Sequence, residues 1–244
     1  MFSQKERKEL LQEALEAGVE RILVPATGSE DLEEVAYLPQ EFGPNVLAAL
    51  GFHPHNASQL DSGWKRRLER LVTLPGVVAV GEIGLDYHYL NSPKEDQLAA
   101  LAWQLDLARE VGLPVVLHHR EAWEDFLAVL AERKPVKGVA HSFTEQREGV
   151  AACHELGLFV GISGMVTFPK AENVRQAARA AKEDMLLVET DSPYLAPVPH
   201  RGKPNRPAWV RLVAACLAEE RKVSLSELER QTDANFSALF SPPF

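Results

Sequence analysis

VVAVGE, residues 77–82, sets five apolar or small residues in an unbroken, valine-rich row and ends on a carboxylate. The row Val77 to Gly81 reads as a strand buried on both faces, which is the mark of a parallel sheet covered by helices. The same design recurs at Arg21 to Ala26, Val46 to Leu50, Pro114 to His118, Gly138 to His141, Phe159 to Ile162 and Leu186 to Glu189. Between these runs lie segments of helical period. In Pro93 to Val111, Leu98, Leu101, Leu105 and Ala108 recur on one face, Ser92, Pro93 and Glu95 spell a capping box, and Gly112 offers a stop. The chain from Pro207 onward reads as helical, with Ser224 and Glu227 repeating the capping spacing.

Alternating strands and helices allow an open doubly wound sheet or a closed barrel. Glu82, His118, His141 and Asp191 fall at or just past the C-terminal ends of predicted strands, as do His53 and Ser163. Chemistry repeated at strand ends is the TIM-barrel arrangement, whereas an open sheet gathers ligands at one switch point. The expected fold is therefore α/β, a TIM-type (β/α) barrel with a helical tail. Seven strands are counted rather than eight, and the chain opens in a helix-like segment at about Gln4. The first strand of a full barrel is thus expected to be missing, either because the true start lies upstream of Met1 or because the chain is a shortened variant.

The 244 residues suit one barrel, so residues 1–244 are expected to form a single domain. A composition of 45% hydrophobic and 25% charged residues excludes a disordered or fibrous chain. The formal charge of -9 disfavours a passive grip on nucleic acid through a basic surface. Two cysteines, Cys153 and Cys216, make no disulfide scaffold and suit a reducing cytoplasm. The opening MFSQKERKELLQ has no apolar leader core, and no run approaches the roughly 18 apolar residues of a membrane span.

Two imidazoles and two carboxylates at strand ends make a mixed nitrogen and oxygen set suited to Zn, Mn or Mg, without the cysteines of a structural zinc knot. In VVLHHR, strand alternation puts His118 and Arg120 on one side and His119 on the other. Arg120 then reads as a clamp for a phosphate, or else as a surface residue paired with Glu121 or Glu124. HRGKPNR, residues 200–206, collects Arg201, Lys203 and Arg206 soon after Asp191, a local basic patch that suggests a phosphate-bearing substrate. His154 reads as a solvated helix residue, the cysteines as packing residues, and His88 is ambiguous.

Five ordered blocks, GFHPH (51–55), VGEIGLDY (80–87), LHHR (117–120), GVAHSF (138–143) and ETDSPYLAP (189–197) followed by RGKPNRP, resemble the TatD family of metal-dependent deoxyribonucleases, within the amidohydrolase-like barrels. By that resemblance Glu82 is the carboxylate able to bridge two metals, His118 and His141 are imidazole ligands, and Asp191 is a metal-side carboxylate and the catalytic proton acceptor. His53, His55 and Arg120 would lie by the scissile phosphate. The family's usual His-x-His pair on a first strand has no match before Gln4. One divalent metal (Mg, Mn or Zn) is therefore expected to bind tightly and a second weakly. The expected activity is hydrolysis of phosphodiester bonds, in DNA, by metal-activated water. A metal-dependent ester or amide hydrolase, such as one acting on an aminoacyl ester of tRNA, and an inactive barrel serving as a binding module are the alternatives.

Overall fold

The computed structural model describes residues 4–241. Met1 to Ser3, on which the expectation about a first strand bears, lie outside the described residues. Helix α1 (Gln4–Glu16) is followed by seven strands: β1 (Ile22–Pro25), β2 (Val46–Leu50), β3 (Val77–Asp86), β4 (Val115–Arg120), β5 (Gly138–Ala140), β6 (Leu158–Ile162) and β7 (Leu186–Val188). The helices between and after them are α2 (Leu32–Phe42), α3 (Ser62–Leu71), α4 (Lys94–Val111), α5 (Trp123–Ala131), α6 (Arg147–Leu156), α7 (Glu172–Ala180), α8 (Val210–Arg221) and α9 (Leu225–Phe240). The α/β class, the parallel pairing and the helical tail agree with the sequence reading. The chain forms two compact units, one of residues 21–140, 156–158 and 239–241, the other of residues 4–20, 141–155 and 159–238.

In the first unit β1 to β5 pair in chain order, every pair parallel. All residues of β2 and β3 are buried, as unbroken apolar strands require. β3 runs to Asp86, five residues past the predicted end, because Ile83 and Leu85 continue the buried row. Its register against β4 is irregular between Val80 and Ile83, so Glu82 sits where the ladder bends, and such irregularities re-aim side chains. Gly84 has to be glycine: a Cβ there would lie 1.9 Å from the His118 carbonyl oxygen. That close approach brings the end of β3 against the end of β4.

Helix α4 buries three of the four residues expected on its apolar face, Leu101, Leu105 and Ala108, and widens that face with two glutamines. Leu98 is only half-buried, whereas Gln97, Ala100, Leu101, Gln104, Leu105 and Ala108 face inward. Each buried glutamine is satisfied by backbone. Gln97 Oε1 accepts from Asp86 N at 2.8 Å, and its Nε2 donates to the carbonyls of Asp86 and Ser92. Gln104 Oε1 accepts from Phe52 N at 2.7 Å while its Nε2 donates to Phe52 O. Seven residues apart on one helix face, the two amides pin the end of β3 and the loop after β2. The predicted capping box does not form: Pro93 occupies the cap, and Ser92 Oγ instead donates to His55 O and accepts from Ser58 N. The stop is as read, with Gly112 in the left-handed region at φ 72.

In the second unit β6 and β7 pair in parallel, Val160 opposite Leu186. Glu227 N donates to Ser224 Oγ, so the second capping signal is used. α9 is tied to the start of β7 by the buried Asn235, which donates to the carbonyls of Glu183 and Leu186. α1 is held by Arg206 to Glu13 at 2.6 Å and Arg211 to the Ala17 carbonyl.

Candidate metal centre

At the C-terminal ends of β2, β3 and β4 the first unit gathers five polar side chains. His53, Glu82 and His118 each offer a ligand atom, all within 4.8 Å of one another. Glu82 is buried; its Oε1 lies 3.1 Å from His118 Nδ1 and 3.3 Å from His53 Nε2. Asp86 is buried beside them and takes His118 Nε2 at 3.2 Å and His55 Nε2 at 3.0 Å on one oxygen. Its other oxygen accepts the backbone N–H groups of His88 and Tyr89. Burial acts to raise the Asp86 carboxyl, but the bonds from His118, Tyr89 N–H and His55 outweigh it and hold the group well below the usual carboxylate range.

These contacts assign protons. An ionised Asp86 only accepts, so His118 carries a hydrogen on Nε2, and in the neutral ring the Nδ1 lone pair faces the Glu82 carboxylate. In a neutral ring this sets a lone pair and a carboxylate oxygen 3.1 Å apart, two donor atoms that one cation can share. A carboxylate behind an imidazole in front of a metal is the usual supporting arrangement, which fixes the ring and raises its basicity. His53 differs. Its Nδ1 accepts the His55 N–H at 3.2 Å, so its neutral ring carries the hydrogen on Nε2 and is a donor there. Burial first, with the nearby rings of His118 and His55, outweighs Glu82 and lowers its pKa, which keeps the ring neutral. That N–H faces Glu82 Oε1 at 3.3 Å, so His53 meets the cluster as a donor.

Arg120 is exposed, and its guanidinium lies 4.8 Å from the centre of the Tyr89 ring. Glu121 is engaged by His88 at 2.7 Å. His119 is buried against Trp123 and Phe126, which bears out the alternation read in VVLHHR.

In the second unit, His141 follows β5 and its Nδ1 lies 3.6 Å from Glu189 Oε1. Glu189 Oε1 also accepts Ser142 N at 2.5 Å and Ser142 Oγ at 2.8 Å. A Cβ on Gly161 would come within 2.7 Å of the other Glu189 oxygen, so glycine leaves the space this carboxylate occupies. Asp191 adopts φ 57 just beyond β7. The segment carrying Arg201 and Lys203 is stitched to the end of β7 by the fully buried Asn205, which donates to the carbonyls of Thr190 and Tyr194. Arg201 lies over the Phe168 ring at 4.2 Å and Lys203 is exposed. Arg206 leaves the expected basic patch, since it binds Glu13. His154 is half-buried on α6 rather than fully solvated, and its Nε2 is buried without a hydrogen-bond partner.

A family profile described as TatD related DNase matches residues 1–241. The metal-dependent hydrolase YcfH of Escherichia coli K12 is 47% identical over 198 residues, which span 80% of this chain and 74% of that protein. The 3'-5' ssDNA/RNA exonuclease TatD of Erwinia billingiae is 35% identical over 246 residues, 98% of this chain and 94% of that one. The crystal structure of YJJV, a TatD homolog from Escherichia coli K12, superposes with a TM-score of 0.91 at 32% identity, covering 98% of this chain and 93% of the other. The chain belongs to the TatD family.

Two carboxylates in this TatD protein escaped the sequence reading. Asp86 lies in the quoted VGEIGLDY and Glu189 opens ETDSPYLAP, so both were in view. Asp86 went unread because β3 was expected to end at Gly81, which placed it in a loop. Glu189 was read as the last residue of its strand, although it occupies the same strand-end position as the residues that were singled out. No helix among the described residues is long and apolar enough to cross a membrane.

Proposed function

We propose that this TatD protein hydrolyses phosphodiester bonds in nucleic acid, DNA being the preferred substrate, with a divalent metal held by Glu82 and His118. The observation that carries the reading is the His118 Nδ1 lone pair set 3.1 Å from Glu82 Oε1 while Asp86 occupies the opposite nitrogen. The names of the relatives, metal-dependent hydrolases and an ssDNA/RNA exonuclease, support it. A divalent ion bound there supplies Lewis-acid polarisation of a phosphoryl oxygen and lowers the pKa of water to near neutrality. Asp86 holds His118 in its ligand tautomer, and His53 presents an N–H to a phosphate oxygen. Arg120 offers a planar fork to a second oxygen, where positive charge fixed in advance is worth most in the transition state. Metal-ligand roles for His141 and Asp191, a proton-accepting role for Asp191 and phosphate contacts from His55, Arg201 and Lys203 rest on the family's motifs and the local basic patch. The mixed donor set suits Mn or Zn at the Glu82–His118 position, with Mg held more weakly at an oxygen-rich second position.

The test is cleavage of an end-labelled oligodeoxynucleotide by metal-stripped protein, with and without added divalent ion. Glu82→Ala and His118→Ala should abolish the metal-dependent rate while leaving the circular dichroism spectrum unchanged. Wild-type turnover in metal-free His118→Ala would overturn the assignment.

A further inference from the structure

Tyr89 sits at the rim of the cluster and has no place in the reading above. It is 56% exposed, and the adjacent Leu90 is 48% exposed in the left-handed region at φ 43. The ring is held by neighbouring side chains yet leaves more than half of its surface open to solvent. Its location is tightly set. The Tyr89 N–H donates to Asp86 at 3.1 Å, the same carboxylate that orients His118 and His55, so the residue is registered to the site through one shared group. The His55 ring stands perpendicular to it at 5.5 Å and the His88 ring at 4.6 Å. The Arg120 guanidinium lies 4.8 Å from its centroid. A rigid ring backed by a cation and flanked by residues suited to phosphate contact is the pattern by which single-stranded nucleic acid is held: a base on the ring, its phosphate on the arginine.

We propose that Tyr89 is a specificity-determining residue that stacks the unpaired base of a nucleotide flanking the scissile phosphate, with Arg120 backing the ring and contacting that nucleotide's phosphate. This rests on the phosphodiesterase reading and adds to it the residue that holds the base. A base held by its face must be out of a duplex, so the ring favours unpaired ends. Every base has such a face, so little preference among the four follows. His55 and Asp86 fix the ring before substrate arrives, which limits the ordering needed on binding.

The experiment compares two single strands that differ only in the terminal nucleotide, one carrying its base and one abasic. A stacked base is worth roughly fivefold to a hundredfold. Wild type should therefore show kcat/KM about tenfold or more higher on the base-carrying strand, expressed in KM. In Tyr89→Ala the ratio should approach one, and in Tyr89→Phe and Tyr89→Trp it should persist. Metal-free wild type should also quench 2-aminopurine placed at the strand end, and Tyr89→Ala should not. An equal ratio in wild type and Tyr89→Ala, with both rates lowered alike, would mean that the ring only supports the loop and would overturn the proposal. If wild type cleaves neither strand with metal, the phosphodiesterase reading fails. Quenching that depends on Tyr89 would then still establish base stacking at this ring.

Discussion

Replacing Asp86 by Asn removes one charge and almost no volume, so it isolates what the carboxylate does. One Asp86 oxygen accepts from His55 Nε2 at 3.0 Å and His118 Nε2 at 3.2 Å, and the other accepts from His88 N at 3.0 Å and Tyr89 N at 3.1 Å. Four donors converge, and an amide has a single oxygen. With that oxygen toward the backbone, the amide NH2 faces two imidazole N–H groups. Turned round, it faces two backbone N–H groups. Either way two donors lose their acceptor, at about 1–3 kcal/mol for each one left buried and unpaired. The imidazole can relieve the conflict by moving its hydrogen to Nδ1, which occupies the lone pair that faces Glu82. Metal affinity should then fall about 10–100-fold, the usual consequence of losing a carboxylate behind a ligand histidine. Calorimetric titration of metal-stripped protein with Mn or Zn near neutral pH measures this directly. An Asp86→Asn variant that binds metal within about twofold of wild type would refute both the tautomer assignment and the place of Asp86 in the site.

Three further outcomes are expected. Arg120→Lys should lower kcat/KM on the order of tenfold without loss of metal, because a point charge cannot span two phosphoryl oxygens; unchanged kcat/KM would return Arg120 to the surface. Gln97→Leu strips partners from the Asp86 N–H and from the carbonyls of Asp86 and Ser92. At about 1 kcal/mol or more for each buried group, it should lower Tm by about 6–12 °C, and a shift under about 2 °C would show that these groups find other partners. The acid limb of stability should depend on Asp86. Its native pKa is depressed below the ordinary 3.8, so its contribution is present above that value and is lost as the pH falls through the lower native one. Thermal melts of metal-free protein from neutral to acid pH should show this loss, and Asp86→Asn should flatten it.

The strands were readable because burial on both faces leaves an unbroken apolar row that helices do not share. Val46–Leu50 was found to the residue. β3 reads short in the sequence because Glu82 ends its apolar row, yet a bend in the ladder between Val80 and Ile83 lets the strand carry a carboxylate inside a fully buried row. On α4 the apolar face is legible at Leu101, Leu105 and Ala108, but the two polar residues it buries are not. Gln97 and Gln104 look like solvent-facing positions, and only the backbone groups waiting at Asp86 and Phe52 make them interior ones. Ser92 shows the same competition: a serine with a cap to make is taken by His55 and Ser58.

For the site, sequence pattern finds residues that terminate strands and misses those that act through other residues. Glu82 and His118 announce themselves by ending apolar rows, whereas Asp86 and Glu189 are defined by what they hold, a His118 nitrogen and the Ser142–His141 corner. Backbone conformation supplies an independent pointer. Glu121, Ser142 and Asp191 all take positive φ within three residues of the ends of β4, β5 and β7. For Asp that conformation is common, but for Glu and Ser it costs free energy that a plain connecting loop would avoid. Glu121 binds His88 and Ser142 binds Glu189, so at both positions the unusual backbone serves a contact with a histidine or with the carboxylate beside one. Strain of this kind is tolerated where side-chain placement matters more than local stability. At Glu121 and Ser142 it marks the C-terminal end of the preceding strand as a place where a side chain is held for a contact.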